Sequence, residues 1–187
     1  MTTTTQPVAE LNGVPVAKLH GTVAKLTEQP ELAAFRFSAR CEWIEGTATM
    51  STIDSWFGVG AEHPHAAVFT ATSDHPTLGH GHGPTPHEFV LHALASCISA
   101  GVATTAASRG ITLTAIDATI SGDMDVRGIL GIDPDVRNGF DRIELEVAVD
   151  GDADRADLDA LVAASTKRSA VFDLLTNPVT VVVAASA

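Results

Sequence analysis

The chain has 187 residues, of which 45% are hydrophobic and 18% charged, with 11 basic against 23 acidic side chains and a formal net charge of −12. That length suits one domain with a sizeable core. The acidity, with no basic run beyond Lys167-Arg168, excludes a phosphate-binding nucleic-acid surface and an anionic membrane surface, so no nucleic-acid or membrane partner is expected. The two cysteines, Cys41 and Cys97, are too few for a structural zinc site without histidine partners. Met1–Glu10 carries neither a basic nor an apolar signal region, and a reducing, cytoplasmic setting is expected.

Residues 1–10 read as a loose tail. A short helix is predicted from Pro30 into Phe35. From Phe35 to Ile44 the pattern alternates: Phe35, Phe37, Ala39, Cys41 and Trp43 lie on one side, Arg36, Ser38, Arg40 and Glu42 on the other. This predicts a half-buried strand, with Cys41 on its apolar face. Glu45-Gly46 reads as a tight turn into a second strand, Thr47–Ile53. Ala67–Thr72 is a third.

The stretch Ser73–Pro84 is a loop rich in Gly, His and Pro, and it ends in a clear helix start. Thr85 is the candidate N-cap, Pro86 fits the first helical position, and Glu88 completes a capping box. The helix is predicted to run to about Ser108, with Gly110 as its stop. Phe89–Ser108 carries no Asp, Glu, Lys or Arg. Its Ser, Thr, Gly and Ala content marks it as a central core helix open to close approach, rather than a membrane span.

Ile116, Ala118 and Ile120 alternate with polar neighbours, as do Ile143, Leu145, Val147 and Val149. These are two strands with one buried face, read as antiparallel neighbours. A long connection, Gly122–Arg142, joins them. Asp154 caps a second long helix with an inner stripe of Leu158, Leu161, Val162 and Ser165, ending before Asn177-Pro178. Val179–Val183 reads as a final strand. The order of strands and helices indicates an α+β fold, not a doubly wound sheet.

Position alone reads Cys97 as a small buried hydrophobe. It lies about three turns into its helix, beyond the reach of the helix N-terminus. A reactive Cys97 therefore calls for a tertiary Arg, Lys or His. Seven of the eight histidines fall between Glu62 and His92. His80 and His82, with His75 or His63, are weak metal candidates, and no resident metal or other cofactor is expected. His87 and His92 stand five apart, not at the i, i+4 spacing of a zinc protease helix. Gly79, Gly81 and Gly83 lack the Lys of a phosphate loop.

The run Gly83-Pro84-Thr85-Pro86-His87-Glu88-Phe89-Val90-Leu91-His92-Ala93-Leu94-Ala95-Ser96-Cys97 resembles the signature helix of the OsmC/Ohr family, the osmotically induced and organic-hydroperoxide-resistance proteins. The resemblance spans about Phe35 to Val183 and looks closest to a longer branch of the family. It implies a domain over 35–187 behind an N-terminal extension, 1–34. It also implies an intertwined homodimer in which antiparallel sheets wrap central helices. The function implied is peroxide reduction by a peroxidatic cysteine, matched here by Cys97, with a hydroperoxide as substrate. An Arg lowers that thiol's pKa, and Arg40 and Arg36 are the candidates, Arg40 the nearer to the hairpin. The family's Glu, ten residues before the cysteine, is matched by His87. The second, resolving cysteine is matched by Ser169, which cannot form a disulfide. The leading expectation is thus a one-cysteine hydroperoxide reductase that draws on an external thiol. A non-catalytic small-molecule-binding protein and a metal-binding protein using the His-rich loop are the alternatives.

Overall fold

The computed structural model describes residues 10–185. The expected N-terminal tail falls largely outside them. The chain forms two compact units. Unit 1 takes in Pro15–Val90, and unit 2 takes in residues 10–14 with 91–185.

Unit 1 opens with a helix that the sequence reading leaves out, α1 (Val16–Glu28), although Val16, Leu19, Val23 and Leu26 recur at helical spacing. A 3-10 turn follows at Pro30–Ala33, where a helix is expected. The predicted strand over Phe35–Ile44 divides into β1 (Arg36–Phe37) and β2 (Arg40–Glu45), both antiparallel to β3 (Ala48–Gly58). β3 runs five residues beyond the expected Ile53 and pairs on with β4 (Ala61–Ser73), again antiparallel. The β2–β3 turn holds Gly46 at φ 51°, and the Trp43 indole N–H donates across it to the Gly46 carbonyl at 3.0 Å. The β3–β4 turn puts Val59 at φ 51° and Gly60 at φ 80°. A β-branched residue is a costly choice at positive φ, which is why this hairpin carries no turn signal in the sequence.

The half-buried reading of Phe35–Ile44 needs correction. Every residue of β1 and β2 is exposed, with Phe37 77% and Trp43 72% accessible, and Cys41 is exposed as well. The alternation that the sequence shows is real, but the apolar face it builds is left uncovered. Rings stack along this sheet instead: Phe37 on Phe35, Phe35 on Trp56 and Trp56 on His63, with centroids 6.2, 5.7 and 4.4 Å apart.

Unit 2 is organised by α2 (Pro86–Arg109), which begins in unit 1 and starts and stops where expected. Thr85 Oγ1 accepts from the Glu88 N–H, and the Glu88 carboxylate accepts from the Thr85 N–H at 2.7 Å, the reciprocal capping box. At the other end Gly110 takes φ 74°, while Ile111 N–H reaches Ala106 O and Gly110 N–H reaches Ala107 O, a Schellman close. Length and composition alone would let α2 cross a membrane. Its Leu94, Ile98, Val102 and Ala106, one per turn on a single face, instead enter the core of unit 2.

β5 (Leu113–Asp123) and β6 (Arg142–Gly151) form the expected antiparallel pair, joined through the short helix α3 (Val126–Ile129). Their inward residues Ile116, Ile120, Ile143, Leu145, Val147 and Val149 pack against that core. α4 (Arg155–Arg168) follows its Asp154 cap and contributes Leu158 and Leu161. Gly101 of α2 lets α4 approach closely, since a Cβ there would lie 3.1 Å from Ser165 Cβ. The side chain of Asn12 acts as a peptide group, donating to Ile111 O and accepting from Leu113 N–H, each at 2.9 Å.

Two expectations for the C-terminal part fail. The last long helix does not continue to Asn177; it breaks at Ser169, and α5 (Ala170–Thr176) begins there. Val179–Val183 forms no strand: it is unpaired and exposed. β-propensity places valines in a strand only when a neighbouring edge accepts their backbone hydrogen bonds.

Candidate functional site

Cys97 stands in the middle of α2, partly buried, three residues after Leu94 and one before Ile98. The break at Ser169 sets its surroundings. Ser169 ends α4 and caps α5, accepting the Phe172 N–H on its Oγ at 3.1 Å. The same hydroxyl donates its proton to the Cys97 sulfur at 3.1 Å. The N–H groups of Val171 and Ala170, which the first turn of a helix leaves without helical partners, also serve the sulfur. Burial pushes the Cys97 thiol up. The Ser169 hydroxyl and the two backbone donors, all favouring the thiolate, together outweigh it and hold the thiol below its ordinary range. The sequence calls for a charged activator; the structure provides uncharged donors from the start of α5. The missed signal was Ser169 as an N-cap, with Asp173 in the first turn behind it.

The His/Gly-rich loop has an organiser that sequence reasoning passed over. Asp74, 1% exposed, accepts hydrogen bonds from Thr47 Oγ1 at 2.7 Å and from the N–H groups of His75, His80 and His82 at 2.7, 2.9 and 3.2 Å. Thr47, then His82, then His80 and His75 hold its carboxyl well below the usual carboxylate range, against the opposing effect of burial. Gly79 lies so close that a Cβ there would collide with the Asp74 carboxylate, and one at Gly83 would collide with the Thr72 carbonyl. The glycines thus serve the wrapping of the loop around a buried carboxylate. An Asp at the head of a loop of spaced glycines was the legible signal.

The segment 79–184, more than half of the chain, matches the family model described as OsmC-like protein. The chain belongs to the OsmC-like protein family. This OsmC-like chain is similar to the solved OsmC-like protein from Mycoplasma pneumoniae, with 16% identity over 76% of this chain and 89% of that one and a TM-score of 0.58. It is also similar to an OsmC-like protein of unknown function from Vibrio cholerae, with 13% identity over 74% and 92% of the two chains and a TM-score of 0.51. At these identities the likeness establishes the fold, α+β with antiparallel sheets. No curated protein sequence matches the chain.

The remaining predicted residues of the OsmC-like chain fall as follows. Arg40 lies on β2, exposed, with its guanidinium 2.6 Å from the Glu42 carboxylate. Arg36 sits over the Phe57 ring at 5.8 Å. His87 is in the first turn of α2, ten residues before Cys97; a helix advances about 15 Å over that span. Within one chain's helix, His87 therefore does not reach the sulfur. The rings of His80 and His82 stand 5.5 Å apart, while the His75 Nδ1 is occupied by the Thr77 and Leu78 N–H groups. His63 is stacked on Trp56. Among the described residues, no group of three or more His, Cys, Asp or Glu side chains is placed to hold a metal ion.

Proposed function

We propose that this OsmC-like protein is a hydroperoxide reductase that works through Cys97 and is recycled by an external thiol. The observation that carries this reading is the set of three donors on the Cys97 sulfur, from Ser169 Oγ, Val171 N and Ala170 N. They favour the thiolate, which is the form that attacks a peroxide.

The chemistry proceeds in three steps. The thiolate attacks the distal oxygen of a hydroperoxide; the S–O bond forms, the O–O bond breaks, and the alkoxide leaves as an alcohol after taking a proton from solvent. Cys97 is now a sulfenic acid. An external thiol then forms a disulfide with Cys97, and the oxygen leaves as water. A second external thiol attacks that mixed disulfide, freeing Cys97 and carrying away both sulfurs of the reductant as its own disulfide. Two thiols thus supply the two electrons that one hydroperoxide takes up. Ser169 at the site has no sulfur to contribute, so the recycling thiols come from outside.

In this reading Arg40 is the cation that supports the thiolate and His87 the group in place of an acidic partner. Both are brought to a Cys97 site in a homodimer. The uncovered apolar residues of unit 1, Phe37 and Trp43 foremost, support a second copy as cover. The family domain is taken as 35–187. Two free thiols agree with a reducing, cytoplasmic location.

The test is consumption of an organic hydroperoxide with a small monothiol as reductant. Wild type is expected to turn over and Cys97→Ser to be inactive; equal rates for the two would sink the reading.

A further inference from the structure

The geometry points to Ser169 as the positioning residue of Cys97: a hydroxyl whose proton is committed to the sulfur by burial and by its capping role. The inference rests on the Cys97 chemistry proposed above, but its main readout does not require turnover.

A serine hydroxyl has one proton to give and two lone pairs to receive. At Ser169 the Phe172 N–H occupies one lone pair. The residue is 5% exposed, so water is not at hand to take the proton. The acceptor in reach is the Cys97 sulfur, 3.1 Å away. A buried hydroxyl proton without an acceptor costs free energy. A thiolate, which only accepts, therefore suits this donor better than a thiol does. Capping and thiolate support are carried by one side chain: Phe172 N–H fixes the oxygen, and the fixed oxygen aims its proton. Among the described residues, the donors at the Cys97 sulfur are Ser169 Oγ and the N–H groups of Val171 and Ala170, which act against burial. Removing the hydroxyl thus removes the one side-chain donor at the sulfur among the described residues.

The test uses the full-length chain carrying Cys41→Ser, because Cys41 is exposed and would report alongside Cys97. Iodoacetamide alkylation and thiolate absorbance are followed from pH 5 to about 11, a range that brackets ordinary thiol titration. Ser169→Ala is expected to move the titration midpoint upward and slow alkylation at pH 7 about tenfold, the effect of about one pKa unit, with rates converging where both proteins are thiolate. Ser169→Thr keeps both the cap acceptor and the donor and is expected to titrate like wild type. Ser169→Asp keeps an acceptor for Phe172 N–H but has no proton to give at neutral pH. Its negative charge beside the sulfur adds repulsion to the lost donor, so it is expected to shift the midpoint upward by more than Ala does. Coincident titration of Ala and wild type, or of Asp and wild type, would overturn the inference. Peroxide turnover is read on the same proteins: a shifted midpoint without turnover in any of them upholds Ser169 and refutes the reductase, whereas turnover with an unshifted midpoint refutes Ser169 alone.

Discussion

The two units handle their apolar residues in opposite ways. Unit 2 closes a core: Leu94, Ile98, Val102, Ala106, Val149, Leu158 and Leu161 are buried against one another. In unit 1 Ala48 is the one buried apolar side chain among the described residues, and the most deeply enclosed group is the carboxylate of Asp74. Both units obey the same period rules. A helix with an apolar residue each turn finds its partner within the chain. A sheet face bearing Phe37 and Trp43 shows the same patterning but stays open. Amphipathic pattern specifies that a face is to be covered and leaves the source of the cover unspecified.

The largest effect that would test this contrast is chemical. If Cys97 is the reacting group, Cys97→Ser should reduce peroxide turnover more than 100-fold, roughly to the uncatalysed background, while leaving the urea midpoint nearly unchanged. Next comes the core itself. Leu161→Ala should cost about 2–5 kcal/mol in urea unfolding, because the wholly buried Leu161 leaves a cavity. The equivalent truncation on the open face, Phe37→Ala, should cost far less in a dilute monomeric sample. If the proposed homodimer forms through this face, pairing it with Trp43→Ser should move the sedimentation coefficient toward that of a monomer, and an unchanged coefficient would show that this face is not the contact.

A smaller, local effect concerns Asp74. Its carboxyl titrates lower in the fold than in an unfolded chain, so it supports the loop above pH about 4, and that support fades as acid titrates the native carboxylate. Amide exchange at His80 and His82 should stay protected at pH 5 in wild type and rise sharply in Asp74→Asn. Unchanged exchange would deny Asp74 its anchoring role. The smallest effect expected is Thr85→Ala, about 1 kcal/mol for the lost N-cap, read by thermal unfolding.

Where a residue's role depends on neighbours close in sequence, the sequence was readable. The capping box of Thr85 and Glu88, the Gly110 stop, the Asp154 cap and the alternating faces of β5 and β6 all follow from residues within a turn or a strand of one another. The core stripe of α4 was equally plain. Of the candidate site, the sequence singles out Cys97 and Ser169 separately, and the structure places the two side chains in contact. α1 lacks a cap signal, and its stripe of Val16, Leu19, Val23 and Leu26 was the sign left unused; the Val59-Gly60 hairpin was hidden because a valine occupies a left-handed position.

By itself, the sequence determined the α+β order of elements, the long apolar helix with Cys97 inside it, and the absence of sulfur at position 169, because these are matters of residue identity and short-range period. The tertiary structure alone decided that α4 stops at Ser169, that α5 turns its first N–H groups to Cys97, and that Asp74 gathers the His-rich loop. The physical reason is one of range. Caps and stripes depend on the nearest turns of chain, whereas the donors on a thiolate and the amides around a buried carboxylate are assembled from segments tens of residues apart, and only folding brings their hydrogen bonds within reach.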